Sequence, residues 1–338
     1  MDRSARGVEM ETRKIGHSGI EVSAMGFGCW AIGGPFNVEN RPAGWGGVDD
    51  DESIRAIHRA VELGVTFFDT ANVYGCGHSE EVLGKALAGK RDRFVIATKF
   101  GNSWKPGTID AFPAEMTPEE IRRQLEDSLR RLGTDYLDLY QFHLWDFPLD
   151  KAETVRDTLD GLVEAGKIRG YGWSTDLLAN ARLFADGPGC IAVQQQLNVF
   201  GGNPAGDSTA ILELCEKKNL ASLNRAPLAM GILTGKFTPD TTFPADDVRS
   251  KVQWFEGFKD GRPNPRWLER IEAVREILTS GGRTLAQGAL AWLWARSSKT
   301  IPIPGFKNVK QAEENARALE HGALTADQMR RIDEILRS

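Results

Sequence analysis

Apolar residues recur along the chain in two alternating rhythms. Short runs rich in β-branched and aromatic residues occupy 24–30, 65–69, 93–98, 136–142, 168–173, 190–196, 220–225 and 300–303. Runs of this length and composition predict strands. In the run 136–142 one parity carries Leu137, Leu139 and Gln141 and the other Tyr136, Asp138, Tyr140 and Phe142, so neither face is uniformly apolar. Between the runs, and after the last, apolar residues return every three or four positions, the period of a helix with one buried face. These segments are 51–63, 79–88, Pro118–Leu132, 151–165, 176–185, 208–219, Pro265–Thr279 with 284–296, and 309–319. Ile121, Leu125, Leu129 and Leu132 make one stripe; Val155, Leu159, Leu162 and Val163 make another. Thr117-Pro118-Glu119-Glu120 sets a cap, a first-turn proline and an acidic third residue in order, and Asp150 with Glu153 repeats the pattern. Gly64, Gly89, Gly133 and Gly166 follow helical segments, where a left-handed residue closes the last turn.

Strands that alternate with helices predict a parallel sheet. The count favours closure into a (β/α)₈ barrel over an open doubly wound sheet. Ahead of it, Lys14-Ile15 and Glu21-Val22 flank His17-Ser18-Gly19, a hairpin suited to plug the barrel bottom. An amphipathic helix at 325–336 follows the last unit. No Ser- or Pro-rich linker divides the chain, so 1–338 is expected to be a single domain with 1–10 as a flexible tail. Three long irregular loops, 31–50, 101–117 and 237–264, follow strands. They therefore sit at the carboxyl face, where barrels keep their sites.

Composition narrows the functions available. The chain is 41% hydrophobic and 26% charged, which excludes a disordered or collagen-like protein. Its net charge of −5 without a basic stretch argues against nucleic acid as main partner. No apolar run is long enough for a membrane span. The first ten residues lack the apolar core of a signal peptide. Cys29, Cys76, Cys190 and Cys215 are scattered, with no C-x-x-C for zinc, and read as free thiols in a reducing cytoplasm. No metal site is expected.

Two nucleotide motifs fail on context. Gly26-Phe-Gly28-Cys-Trp-Ala31 matches a dinucleotide fingerprint, but Gly33-Gly34-Pro35 breaks the helix that must follow. Gly84 to Arg91 resembles a P-loop, yet Arg91 stands where a hydroxyl must hold magnesium.

The stronger signal is positional. Asp69 ends the second strand run, Lys99 the third and His143 the fourth. Neighbouring strands lie about 4.8 Å apart, so three ionisable groups share one rim. Tyr74, five residues after Asp69, is close enough to fold back over Lys99. Asp69 would keep Lys99 charged, and that cation would pull the Tyr74 phenol down from about 10 towards neutrality. Such a phenol is a general acid, and a neutral His143 is a donor that holds a carbonyl oxygen beside it. The four residues hold no hydride source, so one must be bound.

Phe68-Asp69-Thr70-Ala71-Asn72-Val73-Tyr74-Gly75, Ala97-Thr98-Lys99 and Phe142-His143 resemble the three tetrad segments of the aldo-keto reductases. The resemblance runs from Arg13-Lys14-Ile15-Gly16 to Glu313-Glu314-Asn315 and implies a (β/α)₈ barrel with NADPH extended across its carboxyl face. It assigns the acid-base role to Tyr74, tuning to Lys99 and Asp69, and carbonyl orientation to His143. It also implies cofactor contacts from Gly28, Cys29 and Trp30. Ser174 and Thr175 resemble a Ser-Asn pair on the carboxamide, with Thr175 departing from Asn, and Gln194 matches its glutamine. Arg225 stands where many members stack an aromatic on the nicotinamide, and as a cation it would favour the reduced ring. The stretch with Pro227, Leu228, Gly231 and Lys236 resembles the pyrophosphate loop. Gly305, Lys307, Gln311 and Asn315 resemble the adenosine end, with Lys307 on the 2′-phosphate and open N–H groups where a helix begins near Asn308. Trp30, Trp104 and Trp145 are candidates for the substrate pocket.

The implied function is NADPH-dependent reduction of small aldehydes or ketones, reversible to alcohol oxidation. Two rivals remain open. Lys99 at a barrel strand end suits a Schiff-base lyase, and potassium-channel β subunits resemble this family while keeping the cofactor as a sensor.

Overall fold

The structure is a computed structural model that describes residues 11–337; the segment read as a tail lies outside the described residues. Eight parallel strands form the barrel. They are β1 (Phe27–Gly28), β2 (Phe67–Asp69), β3 (Val95–Phe100), β4 (Leu139–Phe142), β5 (Tyr171–Ser174), β6 (Cys190–Asn198), β7 (Ala221–Arg225) and β8 (Thr300–Pro302). Each pairs with the next in chain order. The ring closes through Gly26 N to Pro302 O and Gly28 N to Pro304 O, both 3.0 Å. Strand β1 is shorter than the run 24–30 because Pro304 has no N–H with which to return a bond to Gly26.

The helices wrap the outside: α1 (Asp50–Glu62), α2 (His78–Ala86), α3 (Pro118–Leu132), α4 (Leu149–Glu164), α5 (Leu178–Ala185), α6 (Ser208–Lys218), α7 (Pro265–Thr279), α8 (Leu285–Arg296), α9 (Val309–Ala316) and α10 (Ala326–Arg337). Thr117 caps α3 as its sequence requires, accepting from Glu120 N. Helix α4 corrects the second cap: it begins at Leu149 after Pro148, so Asp150 lies inside it and caps nothing. Gly64, Gly89, Gly133 and Gly166 all take positive φ. The additional helix α10 packs on α7 and α8 and buries Ile332.

Strands covered on both faces need apolar residues on both parities. The outward parity, including Phe68, Ile96, Tyr140, Trp173 and Val193, joins the helices in one core. The inward parity forms a second, with Phe67, Ala97, Leu139, Ala192 and Leu223. A hairpin of Thr12–Lys14 and Glu21–Ser23 plugs the bottom, placing Ile15, Ile20 and Val22 in that inner cluster. One step towards the carboxyl end, the same inward parity turns polar. Phe67 is succeeded by Asp69, Ala97 by Lys99, Leu139 by Gln141, Ala192 by Gln194 and Leu223 by Arg225. The barrel therefore has an apolar floor and a polar mouth.

The long loops are more ordered than their sequences suggest. Asn37–Val38 and Arg41–Pro42 form a hairpin turned by Glu39 and Asn40, both at positive φ, as a two-residue hairpin turn requires. This hairpin pairs with Asp110–Pro113, which pairs in turn with Asn102–Trp104, giving one four-stranded sheet from the loops after β1 and β3. The loop after β7 reaches this region through Val248 N to Gly44 O, 2.8 Å.

Candidate active site

The mouth is organised by Asp69, at the end of β2 and buried. Its Oδ1 forms an ion pair with Lys99 Nζ. Its Oδ2 accepts from Gln141 Nε2 and from Gln194 Nε2, each at 2.9 Å. Lys99 is fully buried, and its Nζ also donates to Thr70 O at 2.8 Å and to the Tyr74 hydroxyl oxygen at 3.2 Å. Burial works to lower the Lys99 pKa. The Asp69 charge, the Tyr74 oxygen and both hydrogen bonds more than offset it, so the ammonium is held above its ordinary range.

Local structure brings Tyr74 back over the lysine. Asn72 N bonds to Lys99 O at 3.1 Å. Asn72 Nδ2 donates to Asn102 O at 2.8 Å and to Gln124 Oε1 at 3.0 Å. Ser79 Oγ donates to Cys29 O at 2.8 Å. At Gly75, with φ +62°, a Cβ would lie 1.8 Å from Gly33 O, so only glycine lets the two loops close here. Behind β3, the Glu80 carboxylate accepts from Thr98 Oγ1 at 2.5 Å and from Arg131 Nε at 2.6 Å, tying α2 and α3 to the residue beside Lys99.

The phenol differs from expectation. Burial, with Asp69 adding to it, outweighs the Lys99 and Arg225 cations, and Tyr74 lies above its ordinary pKa rather than below. It is a neutral phenol throughout the physiological range. His143 follows β4, with its ring edge-on to Tyr74 at 5.9 Å. Burial first, then Lys99 and Arg225, push it well below the ordinary histidine range, so it is neutral. Its Nδ1 is buried without a partner. Trp30 stacks on Tyr74 at 6.0 Å, and Trp104 packs in the cluster of Phe36, Val73 and Tyr74. Trp145 is 42% exposed and packs in neither cluster. Cys29 does not line the mouth: its parity turns it into the outer core, where burial pushes the thiol up. Gly28 sits at the closure seam, where a Cβ would meet Ile303 O at 2.8 Å.

Around the rim, Ser174 is buried at the end of β5. Thr175 is turned away: its hydroxyl donates to Trp145 O at 2.6 Å and accepts from Leu177 N. Arg225 forms an ion pair with Asp176. The loop after β7 carries a run of left-handed residues, with positive φ at Ala226, Ala229, Met230, Gly231 and Gly235. Three of these, Ala226, Ala229 and Met230, are not glycine, so the loop holds backbone strain of the kind found at ligand clamps. Pro227 and Leu228 are buried beneath it. Lys236, at the exposed rim, is held below the ordinary lysine range by the protein around it and by the cations Arg249 and Lys307. Three cations gathered beside this clamp fit a polyphosphate. Arg249 is anchored on Asp247 and lies over the Trp45 and Phe243 rings at 4.7 and 4.3 Å.

The adenosine end departs from its sequence reading. Lys307 Nζ donates to Trp45 O at 2.8 Å and to Gly47 O at 3.3 Å. The start of α9 is not open: Lys307 N bonds to Gln311 Oε1, Val309 N to Glu52 Oε1 and Gln311 N to Asn308 Oδ1. Glu52 thus brings a negative charge to the place assigned to phosphate. Gly305 is exposed, whereas Asn315 is buried and donates to Gly305 O at 3.2 Å.

Sequence reasoning missed Gln141, Asp176, Arg249 and Glu52. Gln141 shares the inward parity of Leu139, which is a readable signal. The other three lie in loops or on a helix whose partners are set only by folding. Among the described residues, no group of three His, Cys, Asp or Glu is placed to hold a metal ion. No helix among them is long and apolar enough to cross a membrane.

A closed parallel barrel whose carboxyl rim gathers Asp, Lys, Tyr and His defines a scaffold that holds a neutral phenol beside a buried cation. A model of the aldo/keto reductase family matches residues 24–337, and the chain belongs to that family. It is 33% identical over 310 residues to aldo-keto reductase YhdN of Bacillus subtilis, covering 90% of this chain and 87% of that protein. Among solved structures, the glycerol dehydrogenase AKR11B4 from Gluconobacter oxydans superposes with a TM-score of 0.81 at 33% identity, over 96% of this chain and 94% of that one. An aldo-keto reductase from Klebsiella pneumoniae in complex with NADPH gives a TM-score of 0.68 at 25% identity, over 97% and 96%.

Proposed function

We propose that this protein is an NADPH-dependent oxidoreductase that reduces the carbonyl of small aldehydes or ketones, and oxidises alcohols in reverse, on a single barrel domain. The observation that carries the reading is the Lys99 ammonium bonded at once to Asp69 and to the Tyr74 hydroxyl. That contact orients the phenol and leaves its proton to be donated outward, into the mouth. Neutral His143, with Nδ1 buried, offers Nε2 to a carbonyl oxygen beside the phenol. As negative charge develops on that oxygen, Tyr74 donates its proton, and the charged Lys99 stabilises the phenolate that remains. The bound cofactor supplies the hydride.

Ser174 and Gln194 would hold the carboxamide, the latter through Oε1, since its Nε2 serves Asp69 and Gln141. The strained loop 226–235 with Lys236 and Arg249 would take the pyrophosphate, Lys307 the 2′-phosphate, and the face of Arg225 the nicotinamide. The NADPH bound to the Klebsiella relative supports this choice of cofactor. The Gluconobacter relative's activity favours small hydroxylated substrates.

The test is turnover with a panel of small aldehydes and hydroxyketones at saturating NADPH, read as loss of nicotinamide absorbance. NADPH binding without any turnover would favour the sensing role. Covalent trapping of substrate by borohydride would favour the lyase, which needs a neutral Lys99 amine that Asp69 opposes.

A further inference from the structure

Asp176 and Arg225 are joined across the end of a strand that separates them. Asp176 lies just past β5 and is 2% exposed; Arg225 ends β7. Strand β6 runs between, with Ser174 opposite Gln194 and Gln196 opposite Arg225. The guanidinium therefore spans the carboxyl end of β6. Asp176 is held for this task from three sides. Its Oδ1 accepts from Gln196 N at 2.7 Å, and its Oδ2 from Asn203 Nδ2 at 2.9 Å and from Arg225 Nη2. Arg225 Nη1 is directed at Gln196 Oε1, 3.5 Å away.

Hydrogen bonds to a guanidinium lie in its plane, so these partners occupy one edge and leave the flat faces free. The side chain remains 26% exposed. Its charge reaches Tyr74 and His143 across the mouth, where it acts to lower the pKa of both. A planar cation thus stands on the same rim as Ser174 and Gln194, one strand beyond the latter. There, on the function proposed above, the nicotinamide lies.

The two redox forms of that ring differ in charge: the oxidised ring is a cation and the reduced ring is neutral. An unpaired arginine would repel the oxidised form. A paired one, with a buried carboxylate bonded to it, repels that form less, although part of its field still reaches Tyr74 and His143. We propose that Asp176 is the charge-balancing and positioning residue of the cofactor mouth. By offsetting the charge of Arg225 it narrows the site's preference for the reduced over the oxidised nicotinamide, and so keeps both reaction directions open. The expectation from sequence that Arg225 favours the reduced cofactor is thereby weakened in degree and keeps its sign.

The inference rests on the proposed function, and its test separates the two. Dissociation constants for NADP⁺ and NADPH are measured by quenching of tryptophan fluorescence at fixed ionic strength. In Asp176→Asn the ratio of the NADP⁺ to the NADPH constant should rise about tenfold or more, the scale of an unbalanced charge at close range. In Arg225→Gln, which leaves Asp176 unpaired, the ratio should fall below that of the wild type. The double variant should return it. An unchanged ratio in both single variants overturns the proposal, as does an equal weakening of both nucleotides that the double variant does not relieve. Should Asp176→Asn fail to fold alone, the double variant decides: a ratio back at the wild-type value supports the balance, and a ratio equal to that of Arg225→Gln overturns it. A wild-type protein that binds neither nucleotide fails the proposed function and the inference together.

Discussion

Lys99 donates to the Tyr74 hydroxyl oxygen across 3.2 Å while its ammonium lies 4.9 Å from the centre of the same ring. The cation is therefore fixed to the phenol and held charged, which opposes its use as a free amine. Tyr74→Phe removes the proton and keeps the ring, so NADPH should still bind while kcat for carbonyl reduction falls by about 10²–10⁴. Lys99→Met should fall comparably. Near-normal kcat in either variant would remove these residues from the chemistry.

The reductive pH profile should be a broad plateau. In the proposed reaction His143 acts as a neutral donor, and its pKa lies well below 6.5, so acid should not disable it near neutrality. Tyr74 must be protonated, and its pKa lies above 10. kcat/KM should thus be flat from about pH 6.5 to about pH 9.5. A limb near pH 7 would mean that one of the two titrates there. The same depressed histidine affects stability: below about pH 6.5 the unfolded chain binds a proton that the folded one refuses, so this contribution is lost as pH falls. A urea midpoint that drops between pH 7.5 and pH 5.5, and drops less in His143→Gln, checks the sign.

Lys307→Ala should weaken NADPH by about 1–3 kcal/mol, the range of a charge-assisted bond, and leave NADH almost unchanged. The ammonium must leave the carbonyls of Trp45 and Gly47 to meet a phosphate, so the lower part of that range is expected. Equal losses for both nucleotides would place Lys307 away from the 2′-phosphate.

Glu52 sets a carboxylate on the first turn of α9. Glu52→Gln keeps an acceptor for Val309 N and removes the charge. NADPH should then bind about two- to fivefold more tightly, the size of a helix-end charge effect, with NADH unaffected. Isothermal titration with both nucleotides reads this directly; weaker NADPH binding would show that Glu52 supports the site.

Glu80→Ala would leave Arg131 without its carboxylate inside the protein. A loss of about 3–5 kcal/mol in unfolding free energy is expected, as for any buried pair broken on one side, and urea denaturation measures it. A loss below 1 kcal/mol would mean that solvent reaches Arg131 and compensates.

The barrel was legible because its signals are local. Alternation, cap residues and terminal glycines placed nearly every strand and helix, and the hairpin under the barrel followed from Ile15, Gly19 and Val22. Asp69, Lys99 and His143 could be read because each lies within one residue of a strand's carboxyl end, and strand order fixes which ends are neighbours. The misreadings came from effects that need three dimensions. The Tyr74 pKa depends on how much water the fold removes, which no spacing reveals. Thr175 and Cys29 lie on the wrong parity or in the wrong rotamer to face the mouth. Glu52 reaches α9 only because barrel closure brings the first helix beside the last unit. Asp176 meets Arg225 across β6, a pairing between residues far apart in sequence with no shared pattern.

The four-stranded sheet at the mouth has a consequence for engineering. Asn37–Val38 pairs with Asp110–Pro113, so the loops after β1 and β3 complete each other's hydrogen bonding. Neither is a self-contained cassette. Grafting 31–50 alone from a relative would leave the edge of Asp110–Pro113 bare beside the opening, an invitation to pair with another chain. A library that alters specificity should exchange 31–50 and 101–117 as one block, because the two segments recombine as a single module.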